Sequence, residues 1–349
     1  MKTKHLLILT LFVSFFGFAQ DQTLRTYQIR TVAFYNLENL FDTIDNPTIR
    51  DEQSPIMELK ANKSDVYFDK IDKLGKVISQ IGRSKNPNAP EIIGLAEIEN
   101  DTVLKDLIHS EFLKDKGYDF VHVNSPDRRG IDVALLYQPQ YFKPDSFKNY
   151  PFYLNNEEGN RIYTRDQLLV SGYLDNEMIH IIVNHWPSRR GGSKSIPYRK
   201  KAGALNRKII DEILLTNPKA KIITLGDFND DPTSPSIKRV LKTKKSPKKL
   251  KPENLYNPYE SLYNAGFNTL AHRDQIHLFD QIILSGTLID TDKNYQTYSL
   301  FTTHIFKPKY LVQTEGRYKG YPKRSFANGY YTGGYSDHYP VYVYLVRKY

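Results

Sequence analysis

One stretch, Ile222–Asp231, reading IITLGDFNDD, most limits what this chain can fold into. Ile222, Ile223 and Leu225 fall within four residues and read as a buried strand. Gly226 stops the apolar run, and Asp227, Asn229, Asp230 and Asp231 crowd the turn that follows. Turn chemistry accounts for one or two such residues, whose side chains bond their own backbone. A carboxylate and an amide two apart at the mouth of an apolar strand ask for more. That spacing can aim both at one point, where the carboxylate takes a proton from water and the amide holds that water or a phosphate oxygen. Taken alone, Gly226-Asp227-Phe228-Asn229 reads as an ordinary turn, so the rest of the chain decides.

Other apolar runs stop the same way. Residues 30–35, RTVAFY, run into Asn36-Leu37-Glu38-Asn39, where strand alternation puts the oxygens of Asn36 and Glu38 on one side. A cap or turn also suits those four residues. Ile92–Ala96 is followed at once by Glu97, then Glu99 and Asn100. Arg128 and Arg129 head the run Val133–Tyr137, where a pair of guanidinium groups can clamp a phosphate or simply be solvated. Arg165 precedes Leu168–Val170. Ile179–Val183 ends in Asn184-His185-Trp186-Pro187-Ser188-Arg189-Arg190-Gly191-Gly192, a histidine followed by two arginines and a glycine pair, which suits an anion site. Asp280 lies inside the apolar run Leu278–Leu284, costly to bury without a partner. Asp337 and His338 precede the alternating run Val341–Leu345.

Between these runs, apolar spacing predicts helices over 66–81, 102–116 and 199–215, and a short one over 237–241. Polar, proline-bearing stretches predict loops over 43–64 and 138–160. The lysine-rich segment 242–252 reads as a mobile loop, a solvated charge run more readily than a track for a phosphate backbone. Alternation of strands and helices by itself suggests a parallel sheet.

Composition narrows the function. The 349 residues carry 49 Lys+Arg against 39 Asp+Glu, a net charge of +10. Lys2 and Lys4 lie in an apolar N-terminal segment ending Gly17-Phe18-Ala19, which reads as a signal peptide over 1–19 ahead of one catalytic domain over 20–349. Without that leader the charge falls to +8, a basic balance that favours anionic partners. No cysteine is present, so no disulfide stabilises an exported chain, and no later stretch is apolar enough for a membrane helix. The strand-end set holds carboxylates, amides and two histidines, but no thiolate and no HExxH. Hard oxygen donors of this kind suit Mg²⁺, with Mn²⁺ or Ca²⁺ as alternatives, and argue against structural or protease-type zinc.

In order along residues 30–345, the ordered set Asn36-Leu37-Glu38, Glu97, Asp132-Val133-Ala134, Thr164-Arg165, Asn184-His185, Gly226-Asp227-Phe228-Asn229, Phe279-Asp280-Gln281-Ile282 and Ser336-Asp337-His338-Tyr339-Pro340-Val341 resembles the endonuclease/exonuclease/phosphatase superfamily, the deoxyribonuclease I-like fold. The Asn-His-Trp-Pro-Ser-Arg-Arg-Gly-Gly form looks most like secreted bacterial members. The resemblance implies an α/β four-layer sandwich, two packed, mainly antiparallel sheets with helices outside, in place of a parallel sheet. It implies that Glu97 is the main metal ligand, with Asn36, Glu38 and Asp337. Asp227 resembles the group that deprotonates or aligns the attacking water, with Asn229 beside it. His338, oriented by Asp280, resembles the histidine on the scissile phosphate, and His185 a second phosphate contact. Arg165 resembles a substrate-binding arginine, with Asn184, Arg129, Arg189 and Arg190 as further substrate contacts. Asn39 extends the family pattern and has no assigned role. Glu99 and Asp230 compete for metal only if they are not surface or turn residues.

Three functions fit: a secreted nuclease cutting DNA or RNA, a phosphatase or phosphodiesterase on inositol phosphates or sphingomyelin, and a binding protein that has lost catalysis. The intact acid–histidine set disfavours the third. Nucleic acid is the expected partner, with phosphorylated lipid or inositol as the alternative, and the chain is expected to be a secreted or periplasmic monomer.

Overall fold

The computed structural model describes residues 27–349. The leader therefore lies outside the described residues. Two large sheets form. The first orders its strands Ser299–Ile305, Val341–Lys348, Tyr27–Leu40, Ile92–Ile98, Asp132–Tyr137, Asp119–His122. The second runs Thr243–Lys244, Leu255–Tyr256, Asp280–Ser285, Lys221–Asp227, Glu177–His185, Gln167–Leu174, Phe142–Tyr150. Most neighbours are antiparallel, but each sheet has a parallel pair at its centre: Tyr27–Leu40 with Ile92–Ile98, and Glu177–His185 with Lys221–Asp227. Helix–strand alternation along the chain thus reports those central pairs and not a parallel sheet, as the family resemblance implies.

Strand alternation builds the layers. Val32, Phe34, Val133, Leu135, Val343, Ile181, Val183, Ile223, Leu225 and Ile282 meet between the sheets. Their neighbours Ala33, Tyr35 and Ile93 face outward against the helix Lys63–Gln80. On the other side Ile182, Ile222 and Ile283 face the helix Ile196–Thr216. Gly94 has a packing reason, since a Cβ there would lie 2.2 Å from Leu225 Cδ1 in the facing sheet.

Three sequence expectations need correcting. The proline-bearing loop 138–160 contains the edge strand Phe142–Tyr150. Its register shifts between Pro144 and Ser146, as an edge allows for a residue without an N–H. The lysine segment 242–252 gives Thr243–Lys244 to the opposite edge, so it is not wholly loop. The helix expected over 102–116 ends at Ile108, and Asn100 caps its start by accepting from the Thr102 and Val103 amides.

Candidate active site

The two central parallel pairs end side by side, and their strand ends hold the site. In the second sheet, Asp227 stands opposite both His185 and Asp280. Gly226 permits that register, because a Cβ on it would fall 2.2 Å from the Asn184 carbonyl oxygen. Asp227 is 2 % exposed, and its Oδ1 accepts from the Asn229 amide at 2.9 Å. Asn36 of the first sheet donates through Nδ2 to Asp227 Oδ2 at 3.1 Å and to Glu97 Oε1 at 3.3 Å. One amide therefore joins acids from both sheets. Burial pushes the Asp227 carboxyl up to about 7; the charges of Asp280 and Glu97 add to it, against the opposing pull of His338.

His338 Nδ1 lies 2.7 Å from Asp280 Oδ2, and both side chains are buried. Burial alone lowers the affinity of an imidazole for its second proton. Here the charge and hydrogen bond of Asp280, with Asp227 and Asp337, outweigh it and hold His338 protonated well above the usual range. His185 is its opposite. Burial, then the positive charges of Arg165, Arg129 and His338, drive its proton affinity well below the usual value. Its Nε2 stands 3.6 Å from Asp227 Oδ2 and 3.8 Å from Glu97 Oε1, and its buried Nδ1 has no partner among the described residues. The site thus holds one imidazolium and one neutral imidazole.

On the first-sheet side the backbone bends. Glu38, Asn39 and Glu97 have φ of 50°, 51° and 60°, and the pairing of Tyr27–Leu40 with Ile92–Ile98 shifts register between Asn36 and Leu40. This bulge breaks the alternation expected to align Asn36 with Glu38. Glu38 Oε1 accepts from Arg324 Nε at 3.0 Å and its Oε2 from the Ser325 amide at 2.6 Å, while Asn36 reaches toward Glu97. The bulge also gives Asn39 its role: its amide donates to Glu97 Oε2 at 2.9 Å. Asp337 is partly exposed, with Arg324 3.3 Å from Oδ2 and His338 Nε2 3.9 Å from Oδ1.

Several expected substrate contacts are instead structural. Asn184 is fully buried; its Nδ2 donates to Thr224 Oγ1 and two carbonyls, and its Oδ1 accepts from Trp186 and Asn206. It organises the strand end and cannot reach a substrate. Arg189 spans Asp230, Asp231 and the Asn229 carbonyl, with Phe279 under its guanidinium at 4.4 Å. Asp230 also pairs with Arg199 at 2.8 Å and accepts from Ser236, so it belongs to this brace. Asn229 places its Nδ2 on the Trp186 carbonyl at 3.0 Å, so its backbone amide, not its side-chain amide, bonds Asp227. Glu99 accepts from the Asp42 amide, away from the acid cluster.

Arg165 is buried, pairing with Asp127 at 3.0 Å and donating to the Trp186 carbonyl at 2.8 Å. Its Nε has no partner among the described residues. With Arg128, Arg129, Arg190 and Tyr163 it lines a cleft of about 250 Å³ whose wall includes Pro187 and Ser188, just past the strand end that carries His185. Arg128 and Arg190 are exposed there, and Arg129 partly so.

Two contributors were missed. Arg324 lies in the aromatic, Gly-rich stretch 286–335, which has no period to single it out. Lys70 carries a readable signal, a lysine on the apolar stripe Tyr67, Ile71, Leu74. It is fully buried against the Glu38 carbonyl and Ser325 Oγ, and burial lowers its proton affinity to about 8.

Asp227, Asp280 and His338 bring ligand atoms within 4.8 Å of one another. The proton between Asp280 and His338 already balances that charge, so a cation fits poorly there. It fits better at Glu97, whose carboxylate is partly open and flanked by the Asn36 amide. The carboxylate donors are hard oxygens, and a divalent cation would ease the repulsion from Asp280 and Glu97 that adds to burial in raising Asp227.

The two-sheet sandwich, with a buried acid–histidine pair at its crowded strand ends, is a mixed α/β fold of the deoxyribonuclease I-like kind. The chain belongs to the Endonuclease/Exonuclease/phosphatase family, whose model matches residues 31–347. Members of that family are hydrolases acting on phosphoester bonds. Zebrafish (D. rerio) TDP2 complexed with a single-strand DNA product shares 13% identity at a TM-score of 0.53, over 91% of this chain and 98% of that one. A family protein from Bacteroides thetaiotaomicron shares 17% at 0.52, over 93% and 97%. A mannosyl-6-phosphatase from the same species shares 18% at 0.50, over 90% and 99%. At such identities the likeness is one of fold. No curated protein sequence matches the chain.

Proposed function

We propose that this chain is a secreted, metal-dependent nuclease that hydrolyses phosphodiester bonds by in-line attack of water. The observation that carries the reading is the pair of opposed proton affinities at one strand end. Asp227 is pushed up to about 7 and can accept a proton near neutral pH, while His338 is held protonated 2.7 Å from Asp280. Asp227 takes the proton of the attacking water, and the Asn229 amide keeps its carboxylate aimed. His338 donates from Nε2 to a phosphoryl oxygen and offsets its growing charge. Neutral His185 is a second contact at that phosphate. Glu97 would hold Mg²⁺, Mn²⁺ or Ca²⁺, while Asn36, expected as a ligand, turns its Nδ2 to Glu97 and its Oδ1 to the Glu38 amide and so steadies that carboxylate; when bound, the cation supplies charge neutralisation at the phosphoryl and leaving oxygens. Glu38, held by Arg324 and Ser325, acts by positioning, and Asp337, partly exposed beside His338, would be a further carboxylate for the cation.

Nucleic acid is the proposed substrate because exposed arginines line the cleft next to the site and the chain without its leader carries a net charge of +8. Export rests on the N-terminal leader. The test is a substrate panel for the chain from Asp21 onward in Mg²⁺: plasmid DNA, single-stranded RNA, sphingomyelin and inositol phosphates. Cleavage of either nucleic acid supports the reading. Turnover of the lipid or inositol esters alone overturns the substrate while leaving the phosphoesterase chemistry.

A further inference from the structure

Beside the arginine cleft, a short hairpin pairs Leu154 with Ile162 and Asn155 with Arg161. Its inward residues Phe152 and Leu154 join the core beneath the second sheet, and the Phe152 amide is anchored on Asp166 Oδ1 at 2.7 Å. Its outward residues are different. Tyr153 is 75% exposed and Tyr163 43% exposed. The Arg161 guanidinium sits 4.4 Å from the Tyr153 ring centroid and 5.6 Å from that of Tyr163, and the Arg128 guanidinium sits 4.9 Å from the Tyr163 centroid. The four side chains alternate ring, guanidinium, ring, guanidinium. Arg161 is further held by its bond to the Phe152 carbonyl at 3.2 Å. Core packing does not explain Tyr153, which leaves most of its surface in water. The ladder ends inside the cleft, where Tyr163 and Arg128 are wall residues with Arg129, Arg165 and Arg190.

We propose that this ladder is a binding track for single-stranded nucleic acid, leading unpaired nucleotides toward the arginine cleft. The inference deepens the nuclease reading and rests on it for the direction of the strand. Tyr153, with one guanidinium against it and 75% of its surface exposed, keeps a face on which a base of any sequence can stack, while Tyr163 holds the two guanidinium groups that meet the phosphates. Fixing the rings on a core-anchored hairpin spares the ordering that a floppy loop would require. Paired bases offer no free faces, so duplex meets only the arginines and binds more weakly.

The experiment separates binding from cleavage. The full chain carrying Asp227→Asn, slowed enough that substrate outlasts the titration, is titrated in Mg²⁺ with a fluorescent oligothymidylate and with a duplex of equal length. The expected result is tighter binding of the single strand. Tyr153→Ala should weaken it by about tenfold through the lost base stack, and Tyr163→Ala, which only releases the two guanidinium groups, by less than Tyr153→Ala. Arg161→Ala and Arg128→Ala should each flatten the slope of log affinity against log salt by about 0.7. All four residues are on the surface, so melting temperatures matching the parent would show that the variants fold. Equal affinity across the four variants, or no binding of the single strand, overturns the track. Cleavage by the unsubstituted chain is scored separately. Cleavage with unaltered variants sinks the track alone, and ladder-dependent binding without cleavage keeps the track and sinks the nuclease.

Discussion

The two halves of the site are built in opposite ways. The second-sheet half, His185, Asp227 and Asp280, stands on regular strands in direct register and is buried. The first-sheet half, Glu38, Asn39 and Glu97, stands on bent backbone at positive φ, with the Glu97 carboxylate partly open. The difference follows the work proposed for each. Proton affinities are tuned by removing water, so groups that exchange protons need a dry, rigid setting. A cation and a phosphate must enter from solvent, so their ligands need an open edge, and a bulge aims side chains where plain alternation cannot. His338, arriving just before the first-sheet strand Val341–Lys348, crosses to Asp280 and ties the halves together.

If the buried half carries the proton chemistry, its variants should show the largest losses. Asp227→Asn should lower hydrolysis by roughly 10²–10⁴-fold. It should also melt higher than the parent above pH 7, by about 2 °C or more. The sign follows from linkage: a carboxyl whose folded value, about 7, exceeds its unfolded one adds stability only while protonated. That contribution is complete below about pH 4 and lost as pH rises to 7. Calorimetry from pH 5 to 8 checks this, and an identical melting profile for both proteins would contradict the assignment.

Breaking the tie comes next. Asp280→Ala leaves a buried imidazolium unpaired and should cost roughly 3–5 kcal/mol by chemical denaturation. In the parent, the stabilisation from a raised His338 is fully present below pH 6.5 and lost only as pH climbs through its higher folded value. Nitrogen NMR of the two site histidines should therefore find His338 charged and His185 neutral at pH 6.5, and a charged His185 would refute the contrast.

The bent half should respond through the backbone. Asn39→Gly keeps the amide and the φ of 51°, so metal affinity should stay within about twofold. Asn39→Pro removes the amide bonded to Glu97 and cannot adopt that φ; a loss of about 10–100-fold in metal affinity is expected by calorimetric titration. Smallest is Arg324→Ala: its side chain is half exposed, so stability should fall by about 1 kcal/mol or less in thermal unfolding.

The same contrast decides what was legible in the sequence. Apolar runs that stop abruptly at an acid or histidine announce regular strands, so the strand-end places of Asp227 and His185 could be read in advance, whereas alternation alone suggests a parallel sheet and the four-layer sandwich follows only from the ordered motifs of the family. The bulge could not be read. Whether Asn36 and Glu38 share a side depends on how Ile92–Ile98 pairs with them, which is a tertiary fact. Asn184 and Arg189 were misread for a related reason. A polar residue at a strand end can face substrate or lock the turn, and only its partners, here Trp186, Asn206, Asp230 and Asp231, distinguish the two.

The division of labour is tested most directly by metal titration of plasmid nicking with Glu97→Gln and Asp227→Asn side by side. The account predicts that both are slow at low Mg²⁺ and that excess Mg²⁺ restores much of the activity of Glu97→Gln. Asp227→Asn stays inactive at every concentration. Rescue of Asp227→Asn by metal, or indifference of Glu97→Gln to it, would contradict the claim that one half binds the cation and the other moves the proton.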